Sequence, residues 1–236
     1  MSLTGTVTMI TGGTGQVGRV VVRRFAEAGA QVVVPYRTLA KWEELQAELG
    51  PLASQVDGLQ ADLVDEAAVQ RVVARALERH GRIDHLLCLA GGFAGGRFLE
   101  AGVDLWDQLL ALNLRPTLLA LRAVLPHFLE RGSGRAVTVG ARQALEPSAG
   151  ASAYAASKAA VIALTQSLAR ELRGTGVTIN CIVPSTIDTE ANRRMMPKAD
   201  PSKWVKPEDV AALLLFLCSP QAEAINGAVI PIYGKL

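Results

Sequence analysis

Apolar, largely β-branched runs alternate with amphipathic helical stretches from one end of the chain to the other. Val7–Ile10, Gln31–Val34, Gly58–Gln60, His85–Leu89, Ala136–Val139, Val177–Val183 and Ala228–Ile232 read as strands. Their near-continuous apolar character predicts parallel strands covered on both faces. Between them, Val17, Val21, Phe25 and Ala28 share one helical face, as do Val161, Leu164, Leu168 and Leu172. Each strand–helix–strand step needs a right-handed crossover. The repetition therefore predicts an α/β architecture, a doubly wound parallel sheet of about seven strands flanked by helices on both faces. Longer helical stretches are expected over Leu105–Leu125, kinked by Pro116, and over Ser152–Arg173. Leu145–Ser152, with Pro147 and Gly150, reads as a surface loop too short to divide domains, so residues 1–236 are expected to form one domain.

Composition narrows the class. Half of the residues are apolar, and 24 basic against 22 acidic side chains leave a net charge of +2. The charges are spread along the chain, which points away from nucleic acid as a partner. The longest apolar run, Val210–Cys218, is too short to cross a bilayer, and no charged-then-apolar leader precedes the first strand. Cys88, Cys181 and Cys218 lack metal-ligand spacing, so no metal is expected; they read as reduced core thiols of a cytoplasmic protein.

Candidate chemistry begins at Thr11-Gly12-Gly13-Thr14-Gly15-Gln16-Val17-Gly18, between the first strand and the first helix. Glycines there let the backbone turn tightly and approach a pyrophosphate, while the helix start offers free N–H groups and a positive dipole. Gly12, Thr14, Gly15, Gln16, Val17 and Gly18 are therefore candidate dinucleotide-binding residues. The second strand ends in Pro35-Tyr36-Arg37. An acidic residue there would favour NAD, whereas Arg37 suits a 2′-phosphate, so NADPH is the expected cofactor with NADH possible. Asp62, past the third strand, is a candidate partner for the adenine amino group or, alternatively, a helix cap.

Tyr154 and Lys158 stand four residues apart and share a helix face. The ammonium is expected to draw the phenol below its ordinary pKa of about 10, suiting it to proton transfer.

With these residues in view, the chain resembles the short-chain dehydrogenase/reductase family over essentially its whole length. The resemblance also rests on Asp62-Leu63, Ala90-Gly91, Asn113, Asn180 and the stretch from Pro184 through Ile187 to Thr189. It implies a Rossmann-type fold, an NAD(P)-dependent oxidoreductase activity and a homodimer or homotetramer acting on a small molecule. It also implies a catalytic trio of Tyr154, Lys158 and Asn113. Leu63, Ala90, Gly91, Tyr154, Lys158, Pro184, Ile187 and Thr189 would join the cofactor contacts.

Three positions depart from the family pattern: Gln16 stands where the commoner turn has its middle glycine, Leu89 replaces an asparagine, and Ala141 replaces the active-site serine. The segments Leu87–Gly96, Gly140-Ala141 and Ile187–Asp200 are similar to the quinonoid dihydropteridine reductase branch. Losing a hydroxyl that polarises a carbonyl costs about 10²–10³ in rate, and a quinonoid ring, already electrophilic, needs that help less. The expected substrate is thus a quinonoid dihydropterin or a related conjugated imine or carbonyl, with Phe93, Ala141, Arg142 and Gln143 around it. A general carbonyl/alcohol oxidoreductase and a nucleotide-binding pseudoenzyme are the alternatives.

Overall fold

Alternation within the strands sorts the core into two layers. In the computed structural model, which describes residues 1–235, Met9 and Ile10 are adjacent on the first strand and enter opposite layers. Val33 likewise faces away from Val32 and Val34, and Leu86 away from Leu87. Successive side chains on a strand point to opposite faces, so a run that is apolar at every position must be covered twice.

The strands are β1 (Val7–Thr11), β2 (Gln31–Tyr36), β3 (Val56–Gln60), β4 (His85–Cys88), β5 (Gly134–Val139), β6 (Val177–Pro184) and β7 (Val229–Ile232). They form one parallel sheet in the order β3-β2-β1-β4-β5-β6-β7. The seven expected strands are all present, β3 beginning two residues earlier than its apolar pattern suggested.

One face is covered by α1 (Gln16–Glu27), α2 (Leu39–Leu49) and α9 (Pro207–Leu217), which contribute Val21, Phe25, Leu45 and Leu214 to the first layer. The other is covered by α3 (Glu66–His80), α5 (Arg115–Arg131) and α7 (Ser152–Glu171), through Val72, Leu121, Phe128 and Ala169. Each large side chain so buried contributes about 1.5–3 kcal/mol relative to exposure. Strand order reverses between β1 and β4. That switch point is where open sheets of this kind form their binding crevice.

The expected Leu105–Leu125 helix is not merely kinked. It is divided at Leu114 into α4 (Val103–Asn113) and α5, with Pro116 in the first turn of α5. Proline has no N–H and restricts the residue before it, so it is tolerated at a helix start rather than an interior. The break leaves Asn113 as the last residue of α4, fully buried. Residues 103–131 together have the length and hydropathy of a bilayer span, but half of their most apolar 18-residue window is buried within the fold.

Two short helices, α6 (Arg142–Leu145) after β5 and α8 (Glu190–Met195) after β6, and 3-10 turns at Gly50–Gln55, Pro201–Lys203 and Pro220–Ala222 complete the picture. The loop after β4 is tied to the loop before α7 by Gly96 N–H donating to the Gly150 carbonyl at 2.8 Å.

Candidate active site

The β1–α1 turn is built almost entirely from backbone. Gly12 has φ of +70°, and a Cβ there would lie 2.8 Å from the Ala90 nitrogen, so the turn presses directly on the chain leaving β4. A Cβ at Gly18 would collide with the Gly12 carbonyl oxygen, so the helix packs on the turn itself as well as on the strand. Gly15 caps α1 without any side-chain bond, and the first helical turn carries no acid. Its N–H groups and dipole are therefore available to an anion.

This turn borders a cleft of about 410 Å³. Gly12, Thr14, Gly15, Gln16, Val17, Gly18, Arg37, Asp62, Leu63, Ala90 and Gly91, the candidate dinucleotide contacts, all line it. Asp62 is not the cap of α3, because Asp65 takes that role by accepting from Ala67 N–H at 2.9 Å. Arg37 forms no ion pair among the described residues. Sequence reasoning missed Lys41, which lines the same wall from the first turn of α2; its place one helical turn beyond Arg37 was the available signal.

Four other expected residues lie elsewhere. Pro184 is buried at the end of β6. Ile187 packs against the first core layer and bridges to Val205. Thr189 caps α8 by accepting from Asn192 N–H at 3.2 Å and lines an adjoining cavity of about 520 Å³. Asn180 is structural: its amide donates to the Ile225 carbonyl at 2.8 Å and its oxygen accepts from Ala228 N–H at 3.0 Å.

The candidate catalytic side chains come from separate elements. Tyr154 and Lys158 share one face of α7, and Asn113 approaches from α4. The Asn113 carboxamide is engaged at both ends, accepting from Gly92 N–H at 2.9 Å and donating to Ser157 Oγ at 3.0 Å. Ser157 in turn donates to the Tyr154 carbonyl at 2.8 Å. Ser157 was not anticipated; standing within the Tyr-x-x-x-Lys spacing, it looked like filler until burial brought it against Asn113. Gly91 must be small, since a Cβ there would meet Asn113 Oδ1 at 2.6 Å and Lys158 Nζ at 3.2 Å.

The electrostatics differ from the expectation of a phenol acidified by its lysine. Lys158 Nζ donates to the Val139 carbonyl at 2.9 Å, and burial lowers its pKa to about 8 despite the neighbouring Cys181. Burial pushes Tyr154 up to about 12. Desolvation penalises whichever form is charged, and it is the leading cause of both shifts. Tyr154 is thus held as a neutral O–H donor.

Around it, Phe93 is half exposed and meets the Tyr154 ring edge-on, with centroids 4.9 Å apart. Ala141 is buried just before α6. Arg142 is engaged by Glu146 at 2.7 Å and lies over the Tyr233 ring at 5.0 Å. Gln143, partly exposed, makes no side-chain hydrogen bond among the described residues. Cys88, Cys181 and Cys218 are buried free thiols, Cys88 being pushed up to about 12 by burial. No cluster of metal-ligating side chains occurs among the described residues.

A phosphate turn at a switch point, with a tyrosine–lysine pair beyond it, defines a dinucleotide-dependent oxidoreductase. Residues 6–200 match the family described as short chain dehydrogenase, and the chain belongs to that family. It is 30% identical to the 3-oxoacyl-acyl-carrier-protein reductase FabG of Thermotoga maritima, covering 100% of this chain and 99% of that protein. It is 32% identical to cyclohexanol dehydrogenase of a Rhodococcus species, covering 100% and 97%. A short-chain type dehydrogenase/reductase structure from Mycobacterium ulcerans superposes with a TM-score of 0.94 at 26% identity, covering 100% of this chain and 90% of that one. The protein is an NAD(P)-dependent oxidoreductase of this family.

Proposed function

We propose that this enzyme reduces a conjugated electrophile, a quinonoid dihydropterin or a related imine or carbonyl, with NADPH as the preferred reductant. The observation that carries this reading is a neutral, partly buried Tyr154 with a buried methyl group at position 141 where the family has its serine hydroxyl. A proton donor is present and the usual second polarising hydroxyl is not. A substrate that is already electrophilic needs the first more than the second.

The glycine turn and the start of α1 would hold the cofactor's diphosphate, with Arg37 and Lys41 meeting a 2′-phosphate. When bound, the cofactor supplies hydride. Tyr154 donates its phenolic proton to the substrate. Lys158, cationic below about pH 8, favours the phenolate left behind. Asn113 and Ser157 fix the backbone of Tyr154 and the loop after β4, so donor and cleft wall keep their relative position. Phe93 offers an exposed ring face beside Tyr154, and Gln143 a free carboxamide for polar substrate edges.

A second reading, a general carbonyl/alcohol oxidoreductase, is favoured by the similarity to FabG and cyclohexanol dehydrogenase. NADPH and NADH oxidation with quinonoid dihydropterin beside a panel of ketones separates the two. Tyr154→Phe should lower turnover on the preferred substrate about 10²–10⁴-fold with cofactor affinity kept. Ketones outpacing the pterin would transfer the assignment to the second reading, and full activity in Tyr154→Phe would remove the tyrosine from the mechanism.

The reduced core thiols support a cytoplasmic setting. Exposed Leu110 and Leu118 on α4 and α5 support a homodimer or homotetramer; a monomer mass by light scattering would exclude it.

A further inference from the structure

Gln16 opens α1 at the position where the commoner family turn has a glycine, and its side chain does not lie idle. The carboxamide oxygen crosses to α8 and accepts from Ala191 N–H at 3.2 Å, linking residues 175 apart in sequence. Ala191 is the second residue of α8, so its N–H has no partner within the helix. Thr189 Oγ1 serves the next N–H, that of Asn192, and Asn192 Nδ2 donates back to the Ile187 carbonyl at 2.8 Å. Gln16 thereby completes a cap that Thr189 only begins.

The anchorage of the segment after β6 changes along its length. Up to Asp188 it is held to the body by backbone: Val205 N–H donates to Thr186 O at 3.0 Å and Asp188 N–H to Val205 O at 2.8 Å. Beyond Thr189 the polar contacts turn inward, as in the Arg193–Asp188 and Arg194–Glu190 pairs. Among the described residues, the bond to Gln16 is the sole hydrogen bond from α8 to another part of the fold. Gln16 also lines both the dinucleotide cleft and the adjoining cavity bounded by Thr189 and Glu190, so its side chain stands on the wall between them.

We infer that Gln16 is a positioning residue, a strap that holds α8 against the phosphate turn and slows release of the bound cofactor. The inference rests on the cleft taking a dinucleotide, and not on which electrophile is reduced. The carboxamide suits the task chemically. It accepts from an amide as a carboxylate would, yet brings no negative charge to a helix start arranged for a diphosphate.

Amide-resolved hydrogen exchange on the cofactor-free protein, paired with stopped-flow displacement of NADPH, tests this. In Gln16→Ala, Ala191 should exchange about fivefold faster, the scale of one lost hydrogen bond, while sheet amides are unchanged. NADPH release should quicken several-fold. Gln16→Gly restores the residue of the commoner turn and should behave alike, covering the case in which the alanine variant folds poorly. Gln16→Glu should keep Ala191 protected while binding NADPH more weakly, a separation that a merely structural role would not produce. Unchanged Ala191 exchange in the folded alanine and glycine variants, or NADPH release at the parental rate, overturns the strap. If no electrophile is reduced but exchange and release respond as described, the strap stands and the reductase reading falls.

Discussion

The two halves of the site are made from different materials. The phosphate turn uses main-chain atoms from eight consecutive residues, Thr11 to Gly18, and its side chains matter chiefly where they are absent. The catalytic half uses side chains from α4 and α7 with the loop after β4, held by the buried Asn113–Ser157–Tyr154 chain of hydrogen bonds. The first half is limited by sterics, the second by desolvation. That contrast explains why sterics shape the first half and why burial shifts the electrostatics of the second.

The steric half should respond most abruptly. Gly18→Ala places a methyl group on the Gly12 carbonyl oxygen. We expect a loss of about 3 kcal/mol in stability, since neither backbone can yield without moving β1 or α1, together with loss of NAD(P)H binding. Denaturant unfolding and fluorescence titration measure the two; an unshifted midpoint would show that the turn relaxes and that backbone contact is not its constraint.

The desolvated half should reveal itself through pH. Lys158 has a folded pKa of about 8 against an ordinary 10.5, so the fold disfavours its charged form. Below pH 8 that penalty is fully present. Between about pH 8 and 10.5 the unfolded chain binds the additional proton, so stability rises with pH, by up to about 3 kcal/mol. Tyr154, raised to about 12, acts in the opposite sense, and only above about pH 10 where the unfolded phenol ionises first. Urea unfolding at pH 7, 8, 9 and 10 should therefore show the parent gaining on Lys158→Met across the series. A constant difference between them would mean that Lys158 is solvated and that burial does not govern this half.

The smallest effect belongs to the rim. Arg37→Ala should raise the NADPH dissociation constant about tenfold and leave NADH nearly unchanged, because the exposed guanidinium meets only a 2′-phosphate. Equal weakening of both cofactors in calorimetric titration would make Arg37 a part of the scaffold instead.

Legibility followed the range of the interaction. The inner strands were readable because a doubly covered strand is apolar at nearly every position, and the start of the partly exposed edge strand β3 was misplaced. The glycine turn was readable because its constraint acts within a few residues. Pro116 announced a disturbance in the long helix, but its strength was underestimated, and with it the reason that Asn113 ends a helix inside the protein. Lys41 was marked only by its spacing from Arg37, whereas Ser157 escaped notice because nothing in its neighbours' identities marks it; it acquires meaning from Asn113, distant in sequence.

Gln16 shows the same division at a single position. As a letter it is a departure from a glycine pattern, and nothing nearby says where a carboxamide would reach. Amino-acid order alone specified the parallel sheet, the phosphate turn and the tyrosine–lysine spacing, because period, chirality and backbone freedom are local properties. Folding alone determined that burial raises the Tyr154 phenol, that Lys158 turns to a carbonyl, and that Gln16 meets Ala191. Burial and contact across the chain depend on which surfaces meet, and no local pattern encodes that.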